Sequence, residues 1–305
     1  MITKLFEKAT FTTFLLSAII SFTGLVAAFF AKHRNWELPL NEWVQIGLIG
    51  SFFCLFLFLI FFVEKFQHLF DFKPSHLLSY PLALSVFPVE LFELQNLLFV
   101  ILISLLLNSF KKSVEEENAQ KHIFNLTFFV TIISLYDLKW TFLYIFPIGL
   151  FAESSLRKTR YLIMFLLPTL FVPFLWIGIL HITPFSYHDI LKTLPQIQAP
   201  KQSLFYQYGA WVFLSVIMII VAFLAREEFQ KKSNTLLRFM KILLSANMFL
   251  LIFFHQNSEF WIVGLIPVGF FLGLLLEKTK SLFVKNMIVV IFAVFFVINI
   301  STKIT

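Results

Sequence analysis

Eleven apolar segments follow one another along this chain, separated by short polar connections, and they recur every 20 to 35 residues from end to end. About 20 apolar residues is the length an α-helix needs to cross a hydrocarbon layer of roughly 30 Å. The pattern therefore predicts an all-α, polytopic transmembrane helical bundle. Composition agrees: 59% of the 305 residues are hydrophobic and 13% are charged, against about 25% charged in a soluble domain. No polar stretch is long enough to fold alone, so residues 1–305 read as a single integral membrane domain.

The segments at 11–31 and 44–63 are simple spans. The first is too long for a signal-peptide core and reads as retained. The next apolar stretch, 76–110, is too long for one crossing and is interrupted by Pro88, Glu90, Glu93, Gln95 and Asn96. A charge at mid-bilayer costs about 3 kcal/mol on insertion scales, so this interruption belongs at a surface, between short helices at 76–91 and 95–110. The stretch at 122–151 divides in the same way at Tyr136, Asp137, Lys139 and Trp140. Spans at 161–180, 208–225, 242–254, 260–276 and 286–301 complete the count. The third short hairpin is the pair 242–254 and 260–276. Gly264, Gly269 and Gly273 are suited to one close helix crossing.

Charge tests this division. With the N-terminus in the cytosol and the C-terminus outside, eighteen lysines and arginines fall on the inner side and six on the outer side. Had either early stretch been one long helix, every later connection would change side and the bias would collapse. The same dispersal explains the net charge of +7 as topology signal and headgroup contact, with no nucleic-acid partner implied. Cys54 is the only cysteine, which excludes an internal disulfide and a cysteine-rich metal site. No glycine-rich phosphate loop, nucleophile elbow or zinc-ligand pair at helical spacing is present, which excludes a nucleotide-driven pump on this chain.

Chemistry is expected at the outer rim. There Glu37, Glu42, Glu90, Glu93, Asp137, Asp189 and Glu259 occupy turns close to apolar helix ends. Glu37, Glu42, Glu90 and Glu93 are the candidate catalytic carboxylates. Glu90 and Glu93 share a helical face and are placed to raise one another's pKa or to hold a divalent cation. Arg34, Asp137, Lys139, His188, Asp189 and Glu259 are the candidate substrate-binding set, with Tyr136 and Trp140 as an interfacial platform for a sugar or headgroup. Trp36 and Trp43 read as interface anchors. The stripe Asn125, Thr127, Thr131 and Ser134 reads as helix-packing glue.

The succession from Leu105 to Lys112, the runs beginning at His122 and Ser134, and Arg157-Lys-Thr-Arg160 resemble an uncharacterised family of multi-span inner-membrane proteins of Bacteroidetes. The paired short helices with polar outer turns resemble, more distantly, the membrane core of GT-C glycosyltransferases. That second resemblance implies a lipid-linked sugar donor, with an acidic residue of the first outer loop as base. Glu37 and Glu42 match it by location, whereas the aspartate expected there is absent. The resulting expectation is an inner-membrane protein of the cell envelope with an outward-facing polar cavity, handling a lipid-linked glycan among membrane lipids, with no cofactor beyond a divalent cation. The alternatives are a non-catalytic subunit of a larger membrane complex and a transporter.

Overall fold

The computed structural model describes residues 3, 6, 8, 10–33, 40–62, 74–87, 106, 109–110, 112, 119–136, 138–150, 159–182, 202–224, 234–253 and 263–304. Among these residues every regular element is helical. In chain order they are α1 (Phe11–His33), α2 (Leu40–Phe62), α3 (His76–Val86), α4 (Ala119–Tyr136), a 3-10 helix (Leu138–Tyr144) continuing into α5 (Ile145–Leu150), α6 (Thr159–Ile182), α7 (Gln202–Leu224), α8 (Asn234–Phe253), α9 (Leu265–Lys278) and α10 (Leu282–Ile304). The chain forms two compact units, one of residues 1–100, 200–233 and 243–305, the other of 101–199 and 234–242.

The predicted boundaries at 11–31, 44–63 and 161–180 meet α1, α2 and α6 within about four residues. The span expected at 242–254 begins earlier, at Asn234, because Leu237, Met240 and Leu244 share one buried face. Arg238 is exposed on the same helix. The helix expected at 95–110 falls almost wholly outside the described residues; its end, at Leu106, Ser109 and Phe110, is helical and buried.

The start of α1 is fixed locally. The Thr10 N–H donates to Thr13 Oγ1 at 2.9 Å and the Thr13 N–H donates to Thr10 Oγ1 at 3.2 Å. This reciprocal cap satisfies two of the amides that a helix start leaves unbonded. Along α1 the burial pattern is the reverse of a water-soluble helix. Thr13, Ser17, Ser21 and Leu25 are buried, whereas Phe11, Leu15, Ile19 and Phe22 are exposed. On α10 the exposed face is Phe283, Met287, Val290, Val294 and Val297, and on α7 it is Phe213, Val216, Ile220 and Phe223. Soluble monomers rarely expose contiguous apolar surface on this scale. Within α6 the stretch Thr159–Gly178 is, among the described residues, the one helix segment long and apolar enough to cross a membrane by length and composition.

The core of the first unit is the antiparallel crossing of α3 and α9. Ser75 Oγ donates to Gly273 O at 3.1 Å, Ser79 Oγ to Gly269 O at 2.7 Å, and Tyr80 OH to Ile266 O at 3.2 Å. The backbones come this close because residues 269 and 273 lack a Cβ. A Cβ on Gly269 would stand 2.5 Å from the Tyr80 ring, and one on Gly273 would stand 2.5 Å from the His76 imidazole. The close crossing expected from these glycines is thus present. Gly264 lies against the Asn247 side chain instead, which links α8 to the segment preceding α9.

Pro81 lies inside α3 and has no N–H for the carbonyl four residues back. That carbonyl belongs to Leu77, and it accepts a hydrogen bond from the buried Ser17 hydroxyl of α1. A proline that would orphan a buried acceptor is therefore matched by a serine on the neighbouring helix.

In the second unit, α4 packs on α6 and on the 3-10 helix. Thr131 and Tyr144 share a hydroxyl hydrogen bond of 2.6 Å. Thirteen residues along a continuous helix would separate them by about 20 Å, so the chain reverses between them, at the place where Asp137 predicts a break. Thr127 and Thr131 return hydrogen bonds to carbonyls four residues earlier, at 2.9 and 2.8 Å, and are buried, the packing role expected of that stripe. Phe146 stacks on Phe239 with ring centres 4.3 Å apart, and Phe110 meets both rings edge-on.

Candidate functional site

Of the four candidate catalytic carboxylates, the described residues include Glu42. It lies half-buried in the first turn of α2, where its N–H donates to Asn41 Oδ1 at 3.1 Å and where an acidic residue favours the positive end of the helix. Trp43 beside it is 42% exposed. Glu37, Glu90, Glu93, Arg34, Asp137, His188, Asp189 and Glu259 lie outside the described residues. Lys139 belongs to the 3-10 helix. No group of three or more histidines, cysteines or acids placed to hold a metal occurs among the described residues.

One expectation is corrected. Trp140 is not part of an exposed platform: it is fully buried, with its ring centre 5.6 Å from that of Phe142. The tight 3-10 turn after the chain reversal carries this indole inward, a direction that the sequence spacing alone does not specify.

Two cavities among the described residues bear on function and were not disclosed by residue type. The first, of about 190 Å³, is lined by Thr3, Phe6, Pro74, Ser75, Leu78, Leu276, Glu277 and Lys285. It gathers the N-terminal segment, the approach to α3 and the turn between α9 and α10, three segments assigned to the lysine-rich side. Thr3 Oγ1 donates to Asn286 Oδ1 at 3.0 Å, which ties the first of these segments to the last. The only sequence signal was that Ser75, Glu277 and Lys285 fall in loops assigned to one side, where each reads as ordinary solvated polarity.

The second is an apolar groove of about 300 Å³ between α3, α7, α9 and α10. Phe213, Met218, Leu272, Ile288, Ile291 and Phe295 are among its walls, and no polar surface lines it. Near it the Phe87 ring meets the Trp211 indole edge-on at 5.0 Å. Trp211 Nε1 and Ser215 Oγ, one turn apart on α7, are buried with no hydrogen-bond partner among the described residues.

Comparison with protein families, with curated proteins and with solved structures finds no match to this chain. The functional reading therefore stands on its own residues.

Proposed function

We propose that this chain is a multi-span protein of a bacterial inner membrane, crossing it eleven times with the N-terminus in the cytosol and the C-terminus outside. The observation that carries this reading is the burial pattern of α1, with Thr13, Ser17 and Ser21 inward and Phe11, Leu15, Ile19 and Phe22 outward. In water that arrangement exposes the costly surface and buries groups that water would solvate. In hydrocarbon it is the favourable one, because the interior hydroxyls bond to carbonyls, Ser17 to Leu77 of α3 and Ser21 within α1, while apolar side chains meet lipid.

The relative direction of the helices has support from ring and hydroxyl contacts within the first unit. Phe14 meets Phe58 at ring centres 5.8 Å apart, and Thr3 bonds Asn286, all near ends assigned to the cytosol. Phe87 meets Trp211, both near ends assigned to the outside. Like ends meet like ends, as the eleven-span arrangement requires.

On this topology Glu42 faces the outer aqueous side, and we assign the outer rim to a lipid-linked glycan in the manner of a GT-C-type glycosyltransferase. In that reading Glu37 or Glu42 removes the proton from an acceptor hydroxyl. Glu90 and Glu93 assist or hold a divalent cation, and Arg34 and Lys139 meet phosphate. The half-buried carboxylate of Glu42, beside an interfacial tryptophan, is what supports it. Single replacement of Glu37, Glu42, Glu90 and Glu93 by Gln is the test. Loss of envelope function at normal protein abundance supports catalysis, and full function in all four variants refutes it.

A second reading, a non-catalytic subunit that docks a partner helix, is favoured by Gly178. It lies on the exposed face of α6 with no heavy atom within 4 Å of the position its Cβ would take. Small residues of this kind let helices approach closely in lipid. Full function of the four glutamine variants, combined with loss on Gly178→Leu, would favour this reading. Sidedness is tested separately by maleimide labelling of single cysteines in a Cys54→Ser background: cysteines at 90 and 137 should react from outside, and one at 285 only after the membrane is opened.

A further inference from the structure

We infer that the polar cavity and the apolar groove along α9 and α10 together form a binding site for one phospholipid of the lysine-rich leaflet, with a head that carries both phosphate and a primary ammonium group, as in phosphatidylethanolamine. The inference rests on the membrane reading above. The two cavities adjoin along the chain: Leu276 lines the polar one and Leu275 the groove, while Lys285 borders the first and Ile288, one turn further on, the second. From Lys285 to Phe295 the rise is ten residues, about 15 Å. That is half of a hydrocarbon core of about 30 Å, the depth of one leaflet. The length of the combined site is therefore that of one lipid with its head at Lys285 and an acyl chain over Ile288, Ile291 and Phe295.

The lining decides the head. Thr3 and Ser75 both spend their hydroxyl protons inside the protein, on Asn286 Oδ1 and Gly273 O. What remains to each is lone-pair capacity, so neither donates to a ligand. Glu277 adds a carboxylate, an acceptor as well. Lys285 is the one cation among the described lining residues. One strong donor beside three acceptors matches a phosphate at Lys285 and an N–H-bearing cation between Ser75, Thr3 and Glu277. A glycerol head offers no cation, and a quaternary choline offers no N–H. The tail gives depth without choice, since bulk lipid solvates an acyl chain as well as the groove does; selectivity falls on the head.

The test is native mass spectrometry of the full chain, released from micelles doped equally with phosphatidylethanolamine, phosphatidylglycerol and phosphatidylcholine of matched chains. The expected result is retention of phosphatidylethanolamine over each competitor by about tenfold, the value of one hydrogen bond to a charged group. Lys285→Ala should lower retention of all three, Glu277→Gln should narrow the advantage over phosphatidylcholine, and Ile291→Trp, which fills the groove, should displace all three alike. Thermal unfolding of each variant identifies any that fails to fold, and the wild-type preference over phosphatidylcholine decides the matter without variants. Equal retention of the three lipids, preference for phosphatidylglycerol, or a folded Lys285→Ala protein with unchanged retention overturns the inference. Extraction of the wild-type chain from washed membranes at alkaline pH would instead refute the membrane reading. A chain that stays in the membrane and shows no head preference refutes the lipid site alone.

Discussion

Replacing Ser17 by Ala removes one hydroxyl from the interior of the first unit, and its cost should depend on a residue in another helix. In α3 the Leu77 carbonyl would ordinarily accept from the N–H at position 81, and proline there has none. The Ser17 hydroxyl is the donor that meets it. Both residues are fully buried, so without Ser17 the carbonyl faces no water. A buried acceptor left unbonded costs about 1–3 kcal/mol. Pro81→Ala restores an N–H within α3, and in that background Ser17→Ala leaves the Leu77 carbonyl with a helical partner. The loss there should shrink to about 0.5 kcal/mol, the order of a single interhelical hydrogen bond in membrane proteins. The two substitutions should thus couple by about 1–2 kcal/mol, a size that double-mutant cycles resolve for residues sharing a contact. The measurement is the unfolding free energy of the four proteins in one mixed-micelle system, with Ser21→Ala as control. Ser21 donates to the Ser17 carbonyl, which already has its helical N–H four residues on, so its loss should cost less than Ser17→Ala. Additive costs for Ser17→Ala and Pro81→Ala would refute the reasoning, because the serine would then not stand in for the missing amide.

Gly269→Ala should destabilise by about 1–3 kcal/mol through overpacking, since its methyl would meet a Tyr80 ring that is fully buried and held by Ile266 O. Gly24→Ala, at a helical glycine with nothing within 4 Å, should instead stabilise by about 0.5–1 kcal/mol; comparing the two unfolding midpoints checks the sign. Phe146→Ala should cost about 3 kcal/mol by emptying the aromatic cluster with Phe110 and Phe239. Hydrogen exchange should rise first in α5 and the adjoining 3-10 helix.

What the sequence disclosed was what charge and hydropathy determine. Helix type and the break at Asp137 follow from the length of the apolar runs and the expense of burying charge, and the glycines of α9 announce themselves because few residues permit such an approach. Helix starts were less legible: α8 begins at Asn234 because Leu237 and Met240 are buried beside an exposed Arg238, a pattern that charge counting assigns to a loop. The inward direction of Trp140 follows from the pitch of a 3-10 turn, which composition does not encode. The match between Ser17 and Pro81 was hidden because it joins positions 64 residues apart through a single hydrogen bond. Most of the outer acidic set lies outside the described residues, so for the candidate site the sequence supplies a list of residue types and an expected side. Convergence depends on turns whose geometry neither periodicity nor charge specifies.

The chain reversals bear on where chemistry can occur. Thr131 against Tyr144 and Asn247 against Gly264 each bring together residues that a continuous helix would hold about 20 Å or more apart. Each reversal turns a long apolar stretch into two limbs whose joint carries the charged residues, Asp137 in one case and Glu259 in the other. A helix that ran through would have to bury that charge in hydrocarbon at about 3 kcal/mol per residue. Folding back removes this cost. The opposite rim has another character: Lys285, Glu277, Thr3 and Ser75 surround a cavity whose hydroxyl protons are already committed to the protein. On the proposed topology the two rims are suited to different work. The outer one is assigned acids for proton transfer or cation binding, and the inner one a lysine beside acceptors for a lipid head. Loss of lipid retention in Lys285→Ala with envelope function intact, and the reverse in Glu42→Gln, is the pattern expected if the two rims act independently.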